Sequence, residues 1–432
     1  MSLKDRLNRL TGDAARPSPA GSKQETINDL RRKLDRVMNR REQNTPAHAP
    51  GPRRYATPLE DIVDGKEART PHGTFFISRS TMNSGAVHGH ARICDLGCAS
   101  MEAMAFLAGS RMGQGVSAED GLFLDTETTG LAGGTGTFPF LIGLGWFEGS
   151  SFVTCQLFAR DFSEEGPMLR HLSELASDKQ FLVTFNGKAF DLNLLATRFV
   201  LNRCRETLTA MPHIDLLHPC RRILAHRLEN ARLSTIETCV LGVERDGDVP
   251  GFEIPQRYFD WLRRRDGRLL EDVFTHNRID IVSMASLLKY LADLVEDGDG
   301  MARGHHGDLL RLAELIQERG DCERAGRMLE ALSSSHHGDV AVSARRSLSL
   351  IYKKTHRREE AAGLWQGLVA SHPHDFFAVE ELAKFYEHHT REWGKALQLV
   401  RRLLDEASDL SDIERTSAEY RLRRLLRKMS SE

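Results

Sequence analysis

The sequence predicts an α/β domain, a mixed sheet flanked by helices, followed by an all-helical repeat domain. Between residues 119 and 295, apolar segments with strand-like spacing alternate with amphipathic helical segments. Three strand-like segments come in a row before the alternation begins, and this order favours a mixed sheet over a purely parallel one. After residue 305 the pattern is almost entirely helical.

The totals limit the classes of function. The chain has 432 residues, which is enough for two or three domains, and its net charge of −2 argues against a protein that coats nucleic acid through bulk charge. Its seven cysteines are scattered, as expected in a reducing cytoplasm. The N-terminus lacks the apolar segment of a secretory signal, and no apolar run is long enough to span a bilayer. We therefore expect a cytoplasmic protein with no membrane contact.

Residues 1–54 are polar and predict a flexible segment with one short amphipathic helix, which docks on its own chain or binds a partner. Residues 55–118 mix short strand-like pieces and predict an extension of the domain that follows. Four potential zinc ligands lie in this extension: His88, His90, Cys94 and Cys98. Their spacing is not one of the standard paired frameworks, so ordinary packing is the preferred interpretation.

Strands are predicted in four segments of residues 119–295: "GLFLDTE", "TFPFLIGLGWFEG", "SSFVTCQLFAR" and "QFLVTFNG". Helices are predicted in three: "EEGPMLRHLSELASD", "AFDLNLLATRFVLNR" and "EDVFTHNRIDIVSMASLLKYL". The first strand ends in Asp125 and Glu127, which point to the same side because they are two residues apart. Two close carboxylates repel each other unless a cation lies between them, and oxygen ligands suit Mg²⁺ or Mn²⁺. The alternative is a pair of solvated acids at a strand end.

Further acids follow at two later positions. Asp191 lies in the first turn of a helix that follows a buried strand, where it either favours the helix N-terminus or reaches the first two acids. His276 and Asp280 are four residues apart on one helical face. Alone, this pair is typical of a hydrogen bond on a helix surface.

In this order, the motifs resemble the DEDD superfamily of 3′–5′ exonucleases (DnaQ-like), on the ribonuclease H-like fold. More closely, the chain looks like the YprB-type ribonuclease H-like domain, often joined to tetratricopeptide repeats. The resemblance covers about residues 119–292 and rests on "DTETTGLAGGTGTFPFLIGLGWF", "FNGKAFDLNLL", "PHIDLLHPCRR", "RLSTIETCVLGVERDGDVPGFEIP" and "HNRIDIVSMASLL".

The resemblance implies a nuclease that uses two divalent ions, Mg²⁺ or Mn²⁺. It implies four metal ligands: Asp125, Glu127, Asp191 and Asp280. It also implies that His276 is the general base. Here the chain departs from the simplest pattern, because the histidine subgroup usually places its base five residues before the last Asp. This chain has a histidine at the spacing of four that is typical of a tyrosine, as expected of the YprB type.

Substrate contacts are expected in the glycine-rich loop, where backbone N–H groups can approach phosphate. The candidates are Thr128, Gly130, Gly133, Gly134, Asn186 and Lys188. Alternatively, the loop is only a hairpin connection, Asn186 only forms a turn, and Lys188 is only solvated. The loop lacks the Gly-Lys-Ser/Thr ending of a nucleotide-binding P-loop, so that interpretation is rejected.

The helical region repeats small residues about 35 positions apart: Ala325, Ala361 or Ala362, and Ala396. This period resembles the tetratricopeptide repeat over residues 305–432, with a plain helical bundle as the alternative. Such repeats imply a protein partner.

The whole sequence predicts a 3′–5′ exonuclease for single-stranded DNA or RNA ends. An endonuclease of the same chemistry and a nucleic-acid-binding scaffold are the alternatives.

Overall fold

The structure is a computed structural model that describes residues 56–110, 112–113, 115–130, 136–297, 305–335 and 338–430. The helix expected within residues 1–54 lies outside the described residues, and so do Gly133 and Gly134.

The main sheet has seven strands in the order β1-β2-β7-β6-β5-β8-β9. They are β1 (Lys66–Thr70), β2 (Gly73–Met82), β5 (Gly121–Thr128), β6 (Pro139–Glu148), β7 (Ser151–Phe158), β8 (Phe181–Thr184) and β9 (His213–Asp215). A separate ribbon pairs β3 (Val87–His88) with β4 (Ala91–Arg92). Strands β5, β8 and β9 are parallel and the other neighbours are antiparallel, so the prediction of a mixed sheet is confirmed.

The helices that surround the sheet are α1 (Ile93–Leu96), α2 (Met101–Ala108), α3 (Glu165–Ser177), α4 (Asp191–Leu201), α5 (Leu217–Ile223), α6 (Leu233–Ile236), α7 (Ile254–Arg264) and α8 (Glu271–Asp297). A π-helical turn, Glu237–Leu241, continues α6. Strand β9 has only three residues, too few for its alternation to be recognised in the sequence.

The two faces of β5 bury different cores, because successive side chains point to opposite sides of a strand. Phe123 packs in one cluster with Ile281 of α8. Leu122 and Leu124 pack in the other cluster with residues of α3 and α4. Asp125 and Glu127 therefore continue the face that α8 covers.

Helix α8 lies directly on β6 because β6 carries two glycines there. A Cβ atom on Gly143 would lie 2.2 Å from Oδ1 of Asn277, and one on Gly145 would lie 2.4 Å from Cγ2 of Ile281. Since Gly143 is the cross-strand partner of Asp125, this close approach brings α8 to the acids of β5.

The helical region contains α9 (His306–Glu318), α10 (Cys322–Ser333), α11 (Gly338–Lys354), α12 (Arg358–Ser371), α13 (Phe376–Phe385), α14 (Trp393–Glu406) and α15 (Asp412–Ser430). A π-helical turn, Tyr386–Thr390, continues α13. The prediction of a helical C-terminal region is confirmed. The small residues Ala325, Ala361 and Ala396 are each the fourth residue of their helix, and each is fully buried. The tetratricopeptide character of these helices stays a prediction.

A buried ion pair joins α9 to the sheet domain. Arg227, after α5, donates to both carboxylate oxygens of Asp308 over 2.8 and 2.7 Å. The Tyr290 hydroxyl of α8 donates to the same carboxylate over 2.6 Å. Among the described residues, no helix is long and apolar enough to cross a membrane.

Candidate active site

Three elements bring the predicted site residues together at the end of β5. Asp125 and Glu127 lie on its last half, just before a register shift between Glu127 and Thr128. Asp191 is the first residue of α4, whereas Asp280 belongs to α8. We call these four carboxylates the acid cluster. They influence one another electrostatically although they come from distant parts of the sequence.

Two of these carboxylates are held by neutral hydrogen-bond donors. The Asn277 side-chain amide donates to Oδ2 of Asp125 over 2.9 Å, and Asn277 itself is fully buried. Gln156 fixes that amide by donating to its oxygen over 2.9 Å. On the other face of β5, the Thr126 hydroxyl donates to Oδ1 of Asp191 over 2.5 Å. Neither donor neutralises the charge of the acid it holds.

His276 points into the cluster from α8. Its Nε2 lies 3.8 Å from Oε1 of Glu127 and 3.5 Å from Oδ2 of Asp280. Its Nδ1 lies 2.7 Å from Oδ1 of Asp248, which belongs to the loop before α7. The His276 and Asp280 side chains are only 16% and 17% exposed. The pair therefore faces the site, in contrast to the surface hydrogen bond considered from the spacing alone.

Burial and mutual repulsion raise the pKa of the acid cluster. Burial is the main cause for Asp125 and Glu127, whose pKa lies well above the ordinary range, and the neighbouring carboxylates add to it. Burial also raises the pKa of Asp191 to about 6. For Asp280 burial raises the pKa against the opposing charges of His276 and Arg245. Negative charge is thus collected here at a cost in free energy, which is typical of functional sites.

Arg245 also enters the site, and the sequence patterns did not single it out. It lies in the loop after the π-helical turn, donates to both oxygens of Glu237 over 2.7 and 2.6 Å, and forms an ion pair with Asp280. It was missed because a lone arginine within "GVERDGDVPG" has no period or spacing that distinguishes it from a solvated residue.

A pocket of about 450 Å³ lies elsewhere, in the helical region, whereas the pocket at the acid cluster has a volume of about 370 Å³. The wall of the pocket at the acid cluster contains several predicted site residues: Asp125, Glu127, Thr128, Gly130, Asn186 and Asp191. Lys188 is exposed and does not line this pocket. The backbone N–H groups of Lys188 and Asn186 donate to the two carboxylate oxygens of Asp215, over 3.0 and 2.7 Å. Asn186 has a φ of 68°, so it does form a turn, as the alternative proposed.

The four potential zinc ligands of the extension do not converge on a common point that could hold a metal ion. Nε2 of His88 lies 2.8 Å from the Ser283 hydroxyl, and the Cys94 thiol donates to its neighbour Asp95 over 3.4 Å. Ordinary packing explains them.

A histidine-rich group does converge elsewhere among the described residues. Ligand atoms of His226, His305 and Asp308 lie within 4.8 Å of one another. Both oxygens of that aspartate already accept from Arg227, and Tyr290 donates to one of them, so the group is better explained as the joint to α9. The carboxylates of the acid cluster are spread more widely than this group.

Comparison with known proteins now gives the family. Residues 122–292 match the RNase H superfamily. The chain is also 37% identical over 313 residues to the uncharacterized protein YprB of Bacillus subtilis (strain 168), covering 72% of this chain and 75% of that protein. This chain belongs to the same family as YprB, and its residues 122–292 form a domain of the RNase H superfamily. The predicted ribonuclease H-like fold and the resemblance to YprB are confirmed, and the superfamily points to a nuclease that uses divalent metal ions.

Proposed function

We propose that this chain is a 3′–5′ exonuclease that hydrolyses phosphodiester bonds at single-stranded ends of DNA or RNA. The observation that carries the proposal is the acid cluster. Four carboxylates converge from β5, α4 and α8, and three of them have no cationic side chain as a hydrogen-bond partner among the described residues.

The donor set of the acid cluster fits divalent metal ions. Asp125, Glu127, Asp191 and Asp280 offer only hard oxygen ligands, which suit Mg²⁺ or Mn²⁺. The pKa of these acids is raised because they are buried and repel one another, and a cation among them would relieve that repulsion. Held by these four carboxylates, such ions would supply the positive charge that lowers the pKa of the attacking water and stabilises the leaving 3′ oxygen.

His276 is suited to take the proton of the attacking water. Asp248 accepts the Nδ1–H of His276, and this hydrogen bond leaves the Nε2 lone pair facing Glu127 and Asp280. A base must lie within hydrogen-bond reach of the proton that it abstracts, and Nε2 is the ring atom that faces the acids. The spacing of four residues produces this direction because it places His276 and Asp280 on one face of α8.

Exposed aromatic side chains favour an unpaired nucleic-acid end as the substrate. Phe190 lines the pocket at the acid cluster and is 57% exposed, and Phe252, next to the pocket residue Gly251, is 70% exposed. A base can stack on such a ring only after it leaves its base-paired stack, so these rings favour single strands. Thr128, Gly130 and Asn186 line the same pocket, and we expect them to contact the terminal nucleotide.

We assign the catalysis to residues 119–295, with residues 55–118 as an extension of that domain. This assignment is supported by β2, which pairs with β7 inside the same sheet. For the helices of residues 305–432 we propose a tetratricopeptide-like region that binds a protein partner.

The test uses single-stranded DNA and RNA labelled at the 5′ end, with Mg²⁺ or Mn²⁺. The wild type should shorten the strands stepwise from the 3′ end, and Asp125→Asn should reduce the rate by about 10³-fold or more. Asp272→Asn is a matched control, because Asp272 lies on the same helix as Asp280 but pairs with Arg257 outside the acid cluster.

Two results would replace the proposal. Internal cuts that are insensitive to a blocked 3′ end would assign an endonuclease instead. Tight binding without cleavage in either metal, unchanged in Asp125→Asn, would assign a nucleic-acid-binding scaffold.

A further inference from the structure

A buried arginine lies against the acid cluster and is itself fixed from behind. The Arg245 side chain is only 8% exposed, and the carboxylate of Glu237 behind it is 1% exposed. Nε and Nη2 of Arg245 donate to the two oxygens of Glu237 over 2.7 and 2.6 Å. This two-point contact fixes the plane of the guanidinium group, and that group stays charged at every accessible pH.

The other side of the same guanidinium contacts the site. Nη2 of Arg245 also donates to Oδ1 of Asp280, and Nη1 donates to Oδ2 of Asp248 over 3.1 Å. Asp248 in turn holds Nδ1 of His276 at 2.7 Å, and Nη1 of Arg245 lies 3.2 Å from the same nitrogen. Arg245 therefore contacts both site residues of α8: Asp280 directly, and His276 mainly through Asp248.

The contact with Asp280 has a consequence for metal binding. An oxygen that accepts from a guanidinium is already paired, and two positive charges close together repel each other. Oδ1 of Asp280 is paired in this way with Arg245.

We propose that Arg245 is a positioning residue that competes with a divalent ion for Asp280 and, through Asp248, holds His276 towards the acids. This proposal rests on the proposed function, because it takes Asp280 as a metal ligand. Arg245 thus lowers the affinity for metal and raises the rate of turnover. A residue that only supports the fold would change both quantities in the same direction.

The test compares Mn²⁺ affinity, measured by calorimetry on the full chain without nucleic acid, with kcat and KM on a single-stranded substrate. In Arg245→Met the Mn²⁺ dissociation constant should fall about tenfold, because the competing charge is removed. The kcat should fall about 10- to 100-fold with KM nearly unchanged, because Asp248 and His276 lose their support.

Arg257→Met is the matched control. Arg257 pairs with Asp272 over 2.7 Å between α7 and α8, outside the acid cluster, so neither quantity should change. Because Arg245→Met leaves Glu237 buried and unpaired, a second variant, Glu237→Gln/Arg245→Met, removes the pair together and should shift both quantities in the same directions by a smaller factor.

Unchanged or weaker Mn²⁺ binding in both Arg245 variants would overturn the proposal, even if the wild type degrades nucleic acid from its 3′ end. Tighter Mn²⁺ binding in both would support it, even if no nucleic acid is cut, and the proposed exonuclease alone would then fail.

Discussion

Two regions of this protein hold carboxylates largely away from solvent, and the pKa of these carboxylates is shifted in opposite directions. In the helical region, the Glu387 side chain is 0% exposed and accepts from Arg421 over 3.0 Å, from Lys428 over 2.9 Å and from Arg424. Burial opposes its ionisation, but the hydrogen bonds from Arg424 and Lys428 outweigh it and lower the pKa of Glu387 to about 2. In the acid cluster, burial and repulsion prevail and the pKa values are raised.

The difference lies in the cations that the chain itself supplies. Glu387 alone has three arginine or lysine partners and the ring of His388, whereas the four acids of the cluster share the guanidinium of Arg245 and the ring of His276. A buried carboxylate with its own cations is part of the fold. A partly buried group of carboxylates with too few cations is stable only at a cost in free energy, and we propose that a cation from solution removes that cost.

The comparison predicts that neutralising Glu387 weakens the fold. Glu387→Gln should lower the free energy of unfolding by about 3 kcal/mol, since Arg421 and its neighbours keep their charge without a buried partner. Urea titration measures this. Glu380→Gln is the control, because Glu380 is 24% exposed and lies at 3.6 Å from Arg421. An equal loss in the free energy of unfolding in both variants would mean that the buried contacts of Glu387 stabilise the fold no more than an exposed pair does.

Neutralising one carboxylate of the acid cluster should have the opposite effect and raise the free energy of unfolding. In chelator, Asp125→Asn should raise the free energy of unfolding by about 1 to 2 kcal/mol, because one repelling charge is removed and the contact with Asn277 can be kept. Adding Mn²⁺ should stabilise the wild type but not the variant. Destabilisation of Asp125→Asn in chelator would contradict the view that the cluster is short of positive charge.

The free energy of unfolding should depend on pH differently in the two regions, with a slope of about 1 kcal/mol per pH unit from each. Asp191 has a pKa of about 6 in the fold and 3.8 otherwise, so the folded state binds more protons and stability falls as pH rises from about 4 through 6. Glu387 has a pKa of about 2 in the fold and 4.5 otherwise, so its contribution is present above 4.5 and is lost as pH falls.

Each slope has its own control. In chelator, Asp191→Asn should reduce the slope between about pH 4 and 6, to which Asp125 and Glu127 also contribute, and should keep the acid-side slope. Glu387→Gln should reduce the acid-side slope and keep the other. If either variant removes both slopes, the two regions are not electrostatically independent.

The sequence by itself determined the elements and the order of the acids. Alternation and helical spacing are local properties, so the strand that ends in Asp125 and Glu127, the helix that carries His276 and Asp280, and the helical region were all recognisable. So was the mixed sheet, because three strands precede the first crossover helix.

Only the tertiary structure decided what surrounds those acids. The hydrogen bond from Asn277 to Asp125 joins residues 152 positions apart, and the contact from Arg245 to Asp280 joins residues 35 apart. Neither distance is a strand or helix period, so no local pattern marks these partners. They meet because Gly143 and Gly145 let α8 lie against the sheet, and because a π-helical turn ends just before the loop that carries Arg245 and Asp248. Local spacing thus fixes which acids share a face, whereas the charge that balances them depends on packing between distant segments.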